Sequence, residues 1–317
     1  MGSHFGIAIA FGGNVITRST DQGTIREQFA NTHRLMVQVA HVLQERDCPL
    51  LITHGNGPQV GNILLRTELT RQALPLLPLD ICVADSQGGM GYMIAQVLHN
   101  TLLDERIERA IATLITQVVV DGDDPAFRKP TKPIGRFHTE EEAKQLEQQF
   151  GWRMTEDAGR GWRRVVASPR PVRIVETSAV QKLLQQNVIV VASGGGGIPV
   201  IEHAEDSTLE GVAAVIDKDA AVALLAADAG VEELYILTGV QCVCLDYGKP
   251  SEQPIQRMPA DEAEGYLHEG QFPPGSMGPK IEAAIRFLRQ GGKEVIIGLP
   301  EEFERLVSGQ AGTRITA

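Results

Sequence analysis

The sequence predicts an α/β protein: a three-layer αβα arrangement around an open, mainly parallel sheet, with one small protruding subdomain. Three observations carry this. Apolar runs of strand length recur along the 317 residues, several of them end in glycine, and stretches of helical periodicity lie between them. The first run, IAIAF (7–11), ends in Gly12-Gly13-Asn14. A helix is expected from about Thr24 to Arg46, where Ile25, Phe29, Leu35, Met36, Val39 and Leu43 recur at helical spacing. PLLIT (49–53) is the next buried strand and ends in His54-Gly55-Asn56-Gly57. Pro58 then stands where a helix accepts its first residue. A further helix is expected from Ser86 to about Leu103, and ATLITQVVV (112–120) reads as one strand. The rhythm breaks between Asp121 and about Arg173, a stretch rich in proline, glycine and charge. It holds one short helix (Glu140–Phe150) and short strands near Trp152 and over 162–166. The rhythm resumes with NVIVVASGGGG (187–197), VEELYIL (231–237) and KEVIIGL (293–299).

Composition narrows the function. Lys plus Arg is 29 against 40 for Asp plus Glu, a net charge of −11, which argues against a general nucleic-acid binder. An anionic substrate then needs a local basic pocket. The apolar runs are strand-sized, so no membrane span is expected, and the first residues lack the build of a secretion signal. The opening MGSH has the look of an added segment. Cys48, Cys82, Cys242 and Cys244 form no CxxC, and a reducing cytoplasm is expected.

Glycine is abundant, with 33 residues, and it gathers at three strand ends: Gly12-Gly13, Gly55-Asn56-Gly57 and Gly194 to Gly197. One such turn would need no function. Three at the carboxyl edge of one parallel sheet mark a ligand site, because backbone N–H groups can approach an anion there with no Cβ in the way. A phosphate-bearing ligand is expected. The chain has no GxxxxGK[ST], no GxGxxG, no protein-kinase signature and no GxSxG. Asp217-Lys218-Asp219 opens a helical run, and a lysine at that end of a helix calls for an anionic partner. In PPGSMGPK (273–280), Ser276 is a candidate cap and Lys280 lies in the first turns. Lys132 is presented between two prolines. Each of these lysines has an ordinary solvated alternative. Cys242 and Cys244 share one face of a probable strand without ligand-spaced neighbours, so no metal site is expected. His54 is expected in a structural hydrogen bond.

Together AFGGN, HGNGPQVGN (54–62), PLD with SQGxxGY (78–92), DPAF with PTKPIG, EDAGRGWRRVVxSP (156–169), GGGGIPV (194–200), AVIDKD (214–219), LTGV (237–240) and PGSMxPKIEAAI (274–285) resemble the carbamate kinases of the amino acid kinase superfamily. The resemblance runs in one order over nearly the whole chain, and TKPIG and PGSMxPK are its most distinctive parts. Most of the superfamily carries a lysine where this chain has Ala10, and in carbamate kinases the subdomain lysine is thought to compensate. Arg136 departs from the proline usual after PIG.

The resemblance implies the amino acid kinase fold as a single domain over 1–317. A carbamate-side lobe would span 1–120 and 174–210, a lid 121–173, and a nucleotide-binding lobe 211–317. It implies ATP + carbamate ⇌ ADP + carbamoyl phosphate with Mg²⁺, the metal held by phosphates and not directly by protein. Gly12, Gly13, Asn14, Gly55, Asn56, Gly195 and Gly196 would hold carbamate and the phosphoryl group. Lys132 and Lys280 would bridge donor and acceptor oxygens, Lys218 would contact nucleotide phosphates, and Asp219 would orient the lysines. Thr238, Gly239, Val240, Tyr247 and Met277 would line the nucleotide pocket. A homodimer is expected, with the runs Ile63–Leu69 and Met90–Leu103 as its candidate contact and core packing as their alternative. Two other readings stand beside this one: a superfamily kinase for another small acid, which Ala10 disfavours, and a catalytically idle nucleotide-binding regulator.

Overall fold

In a computed structural model, which describes residues 6–18, 21–157 and 159–317, the chain builds an eight-stranded sheet. The MGSH start lies outside the described residues, as does the side chain of Asn14. From one edge the strands run Arg257–Pro259, Thr313–Thr316, Glu294–Gly298, Glu233–Leu237, Ile7–Phe11, Leu50–His54, Ile189–Val191 and Ile111–Thr113. The pairings from Glu294–Gly298 to Ile111–Thr113 are all parallel. Thr313–Thr316 is antiparallel to Glu294–Gly298, so the sheet is mixed at one edge.

Strand alternation divides the core in two. Ala8, Ala10, Leu51, Leu234 and Ile236 face the helices Lys218–Asp228 and Met277–Arg289, while Ile7, Ile9, Phe11, Ile52 and Tyr235 face Ile25–Glu45 and Leu79–Asp104. Burial on both sides explains why these strands read as continuous apolar runs. Thr24 starts the long helix with a reciprocal capping box to Glu27.

Three local expectations need correction. The run 112–120 is two strands in different sheets, Ile111–Thr113 and Gln117–Val120. Buried Gln87 grips Thr116 between them, accepting from its N–H at 2.8 Å and donating to its carbonyl at 3.1 Å, which steers the chain out of the main sheet. Gln117–Val120 joins a second sheet with Pro171–Ile174, Ile198–Glu202 and Leu209–Gly211. The helix expected from Ser86 begins at Leu79, with Pro78 as its N-cap. Ser276 occupies the N-cap position of Met277–Arg289 but makes no side-chain capping bond.

The excursion is a small α/β unit. Lys132–His138, Trp162–Val166 and Met154–Glu156 form an antiparallel sheet beside the helix Glu140–Phe150. The first of these strands is unexpected, since KPIGRF has turn composition, and it is held by pairing with Trp162–Val166. Ile134 and Val166 pack with Val60, Leu64, Cys82 and Val83, seating the unit on the helices Gly57–Leu69 and Leu79–Asp104. The contact is close. A Cβ on Gly61 would lie 2.0 Å from the Gly135 Cα.

The runs offered for a dimer contact mostly line the core. Leu64, Met90, Met93, Ile94, Val97, Leu98 and Leu102 are buried, while Leu69, Tyr92 and Leu103 remain exposed. Among the described residues no helix is long and apolar enough to cross a membrane.

Candidate functional site

The glycine-bearing ends of Ile7–Phe11, Leu50–His54 and Ile189–Val191 lie side by side, as parallel pairing requires. The Gly55 N–H donates to the Phe11 carbonyl at 2.7 Å, and a Cβ on Gly55 would stand 2.9 Å from the Gly13 nitrogen. Gly195 has φ of +66°, and a Cβ there would meet Asn56 Nδ2 at 2.2 Å, so this position needs glycine on both counts. Helices follow the first two loops, a four-residue one at Gly13–Ile16 and a full one at Gly57–Leu69. The third loop is a single 3₁₀ turn leading into the strand Ile198–Glu202, so no helix dipole serves it.

Side chains outside the expected set lock these loops. Asn56 Nδ2 donates to Ser86 Oγ at 2.8 Å, and that hydroxyl donates to the Val83 carbonyl at 2.6 Å. Gln87 Nε2 also donates to the Gly194 carbonyl at 2.9 Å, and Thr53 Oγ1 donates to the Ser193 carbonyl at 2.9 Å. All four side chains are buried polar groups, which are costly unless paired. SQG inside a helical run was the available signal for Ser86 and Gln87. His54 is buried against the same loop. Burial pushes its imidazole down to about 4, outweighing its contact with the Gly55 carbonyl, so it is neutral and structural, as expected.

The three lysines converge. Asp217 caps the helix Lys218–Asp228 by accepting from the N–H groups of Asp219 at 2.9 Å and Ala220 at 3.3 Å through Oδ1. Its other oxygen, Oδ2, accepts from Lys132 Nζ at 2.6 Å. Lys132 is therefore half-buried and ion-paired, and the solvated loop lysine of the sequence reading does not describe it. Buried Asp219 accepts from Lys218 through Oδ1 and from Lys280 at 3.0 Å through Oδ2. A Cβ on Gly55 would lie 3.1 Å from the Lys218 Cδ, so the lysine stem passes directly beneath the glycine loops. Ala10 is fully buried on the sheet face covered by this same helix.

Burial alone would raise both carboxyls. For Asp217 the ammonium groups of Lys132 and Lys218 outweigh it, and for Asp219 those of Lys218 and Lys280 do, holding both below the usual carboxylate range. Burial pushes Lys218 down, against the pull of Asp219. For Lys280 the attraction of Asp219 outweighs burial and pushes it up. Three cations on two carboxylates leave a local positive excess in an acidic protein.

Lys132 and Asp217 open onto a cleft of ≈ 710 Å³ whose far wall includes Pro279, in the helix that carries Lys280, and Gly275, just ahead of that helix. Met277 starts that helix. Thr238, Gly239 and Val240 follow the end of Glu233–Leu237, at the same sheet edge, and Tyr247 is exposed. Among the described residues no hydrogen bond joins these to the lysine cluster, and they do not line this cleft. Arg163, to which the sequence reading assigned no role, donates to the Gly135 carbonyl and to Asp157, each at 3.1 Å, and so braces the strand Lys132–His138 where its register shifts.

The model of the amino acid kinase family matches residues 7–298. A carbamate kinase of Thermococcus kodakarensis is 45% identical over 98% of both chains. The structure of a Giardia lamblia carbamate kinase bound to citric acid superposes with a TM-score of 0.94 at 38% identity, covering 100% of this chain and 99% of that one. The same enzyme bound to AMP-PNP gives 0.89 at 39% identity over the same shares.

Proposed function

Since the chain belongs to the amino acid kinase family, and within it to the carbamate kinases, we propose that this site transfers a phosphoryl group reversibly between ATP and carbamate. It is a phosphotransferase with the amino acid kinase fold. The convergence of Lys132, Lys218 and Lys280 on Asp217 and Asp219, beside three glycine-bearing strand ends, carries the reading.

Carbamate is already an anion, so its attacking oxygen needs no general base, and neither aspartate has to act as one. What the reaction needs is alignment of two anions and neutralisation of charge on the phosphoryl group in flight. The backbone around Gly12, Gly13, Gly55, Asn56, Gly195 and Gly196 would hold carbamate and the phosphoryl oxygens. Lys132 and Lys280 would bridge donor and acceptor from opposite sides, and Lys218 would meet nucleotide phosphates. Asp217 and Asp219 hold the ammonium groups in place, at the price of competing with the substrate for them. Their oxygens are spent on lysines and backbone N–H groups, and among the described residues no cluster of three or more metal-ligating side chains occurs. This donor set fits Mg²⁺ carried by the nucleotide phosphates, where it would shield their charge.

The second half of the chain, 211–317, would take the nucleotide, with Thr238, Gly239, Val240, Tyr247 and Met277 in its pocket. Segments 1–120 and 174–210 would take carbamate, under 121–173 as a lid. The AMP-PNP bound by the Giardia relative supports a nucleotide ligand. Exposed Leu69, Leu74, Leu76, Leu77 and Ile81 support a homodimer through this apolar stretch. Four unpaired thiols support a reducing, cytoplasmic location. The deciding experiment mixes the protein with carbamoyl phosphate and MgADP. ATP should form, and a folded sample that makes none while phosphorylating another small acid would overturn the assignment.

A further inference from the structure

Of the four thiols, Cys48 and Cys82 are buried, whereas Cys242 and Cys244 are half-exposed and adjacent in space. Val243 between them is buried and pairs with Ile255 in the hairpin of Val243–Leu245 and Gln253–Ile255. Its N–H donates to Thr313 Oγ1 at 2.8 Å, so the backbone carrying both cysteines is anchored to the main sheet. Alternation turns the two sulfurs to one side, 4.0 Å apart in a thiol–thiol contact. A disulfide needs about 2.05 Å, far less than this. Two sulfurs bound to one pyramidal trivalent atom at about 2.3 Å, with roughly 90–105° between them, stand roughly 3.2–3.6 Å apart, which a small side-chain rotation reaches from the 4.0 Å seen here. The pair is spaced for a bridging atom. No third metal-ligating side chain completes a cluster here among the described residues, so the fitting agent must bring its own remaining substituent.

We propose that Cys242 and Cys244 form a vicinal dithiol that captures trivalent arsenicals across both sulfurs, and that capture obstructs the nucleotide end of the site. With phenylarsine oxide, two As–S bonds form and the arsenic–oxygen bond breaks. Both thiol protons leave with that oxygen as one water, and arsenic stays trivalent. Burial, then Cys242 and Glu252, push the Cys244 thiol up to about 12. The obstruction clause rests on the nucleotide reading above, since Cys242 lies two residues after Val240 and Cys244 three before Tyr247.

The test treats the full chain with one equivalent of phenylarsine oxide under native conditions. Intact mass should show one adduct with loss of one water, removed by 2,3-dimercaptopropanol but resistant to excess 2-mercaptoethanol. In Cys242→Ser and in Cys244→Ser the monothiol should strip it. An adduct mapped to Cys48 or Cys82, monothiol resistance surviving in either variant, or no adduct on the folded chain would overturn the site. Calorimetry with ADP then separates the two claims. Affinity at least about tenfold weaker in the adduct supports obstruction, and unchanged affinity refutes it. If untreated protein fails to bind ADP, the nucleotide reading falls while the dithiol stands on its mass signature.

Discussion

Lys132 and Asp217, 85 residues apart in sequence, meet at 2.6 Å, and this ion pair ties the protruding unit to the start of the helix Lys218–Asp228. The pair has two consequences. It brings the lysine of the excursion to the same helix end as Lys218, and it sets a carboxylate in competition with any phosphoryl oxygen for that ammonium.

Lys132→Ala should therefore cut turnover by roughly two to three orders of magnitude, the scale of removing one transition-state donor. ADP affinity should stay within a few-fold, because Lys218 and Lys280 remain. The pair is about a quarter exposed on each side, so its loss should cost no more than about 1 kcal/mol of stability. Steady-state ATP formation from carbamoyl phosphate, read beside a urea melt, checks both. Near-normal turnover would assign the charge to Lys280 or Arg136 and leave the excursion a structural role only.

Asp217→Asn isolates the charge of the pair, since asparagine caps a helix as well as aspartate does. The folded carboxyl titrates below its unfolded value, because the lysines outweigh burial. Its contribution is thus complete above the unfolded pKa of about 3.9 and is lost as pH falls through the lower folded value. Wild type should be the more stable protein at pH 7, and the gap should narrow steadily below about pH 4. Urea unfolding of both proteins from pH 7 to pH 3 measures it. A gap that stays constant across that range would show that the ion pair carries no stability.

The parts legible in the sequence were those written in local periodicity. Ile7–Phe11 and Leu50–His54 are buried on both faces and read as strands, and Ile25–Glu45 repeats its apolar residues along one helical face. Glycine at strand ends and the three lysines marked the site, because each residue type there has a reason independent of its neighbours. What stayed hidden depends on distant partners. Lys132–His138 is a strand only through Trp162–Val166, and Asp217 gains its role from Lys132. The helix start at Leu79 was obscured by its apolar composition, and Ser86 and Gln87 gave no sign of whom they hold.

Gly61 offers a steric test of the proposed lid. In the interior of Gly57–Leu69, glycine to alanine normally stabilises a helix by about 1 kcal/mol. Here the added Cβ would lie 2.0 Å from the Gly135 Cα and 2.2 Å from its nitrogen, and backbone cannot move aside as a side chain can. The clash should win. Gly61→Ala is expected to lose about 1–3 kcal/mol net, to expose 121–173 to protease, and to lower turnover with ADP binding retained. Gly88→Ala is the matched control, because its Cβ meets nothing within 4 Å and the helix gain should appear alone. If limited proteolysis and turnover are the same in both variants, the lid does not seat through Gly61.

Ser86→Ala tests whether the acceptor side of the site is held from behind. The hydroxyl relays Asn56 Nδ2 at 2.8 Å to the Val83 carbonyl at 2.6 Å, and both side chains are buried. Removing it leaves the Asn56 amide with a lost partner, at a cost of about 1–3 kcal/mol. A freed Asn56 would also lose its orientation toward Gly195, whose missing Cβ makes room for that amide. Because the proposed function puts Asn56 on the carbamate side and Lys218 on the nucleotide side, the two substrates should respond differently. KM for carbamoyl phosphate should rise about tenfold, while KM for ADP should move less than about twofold, with kcat falling in parallel. Initial rates over a grid of both substrates distinguish this from general damage. Equal loss for both substrates would mean that Ser86 supports the fold of the Leu79–Asp104 helix and does not position Asn56.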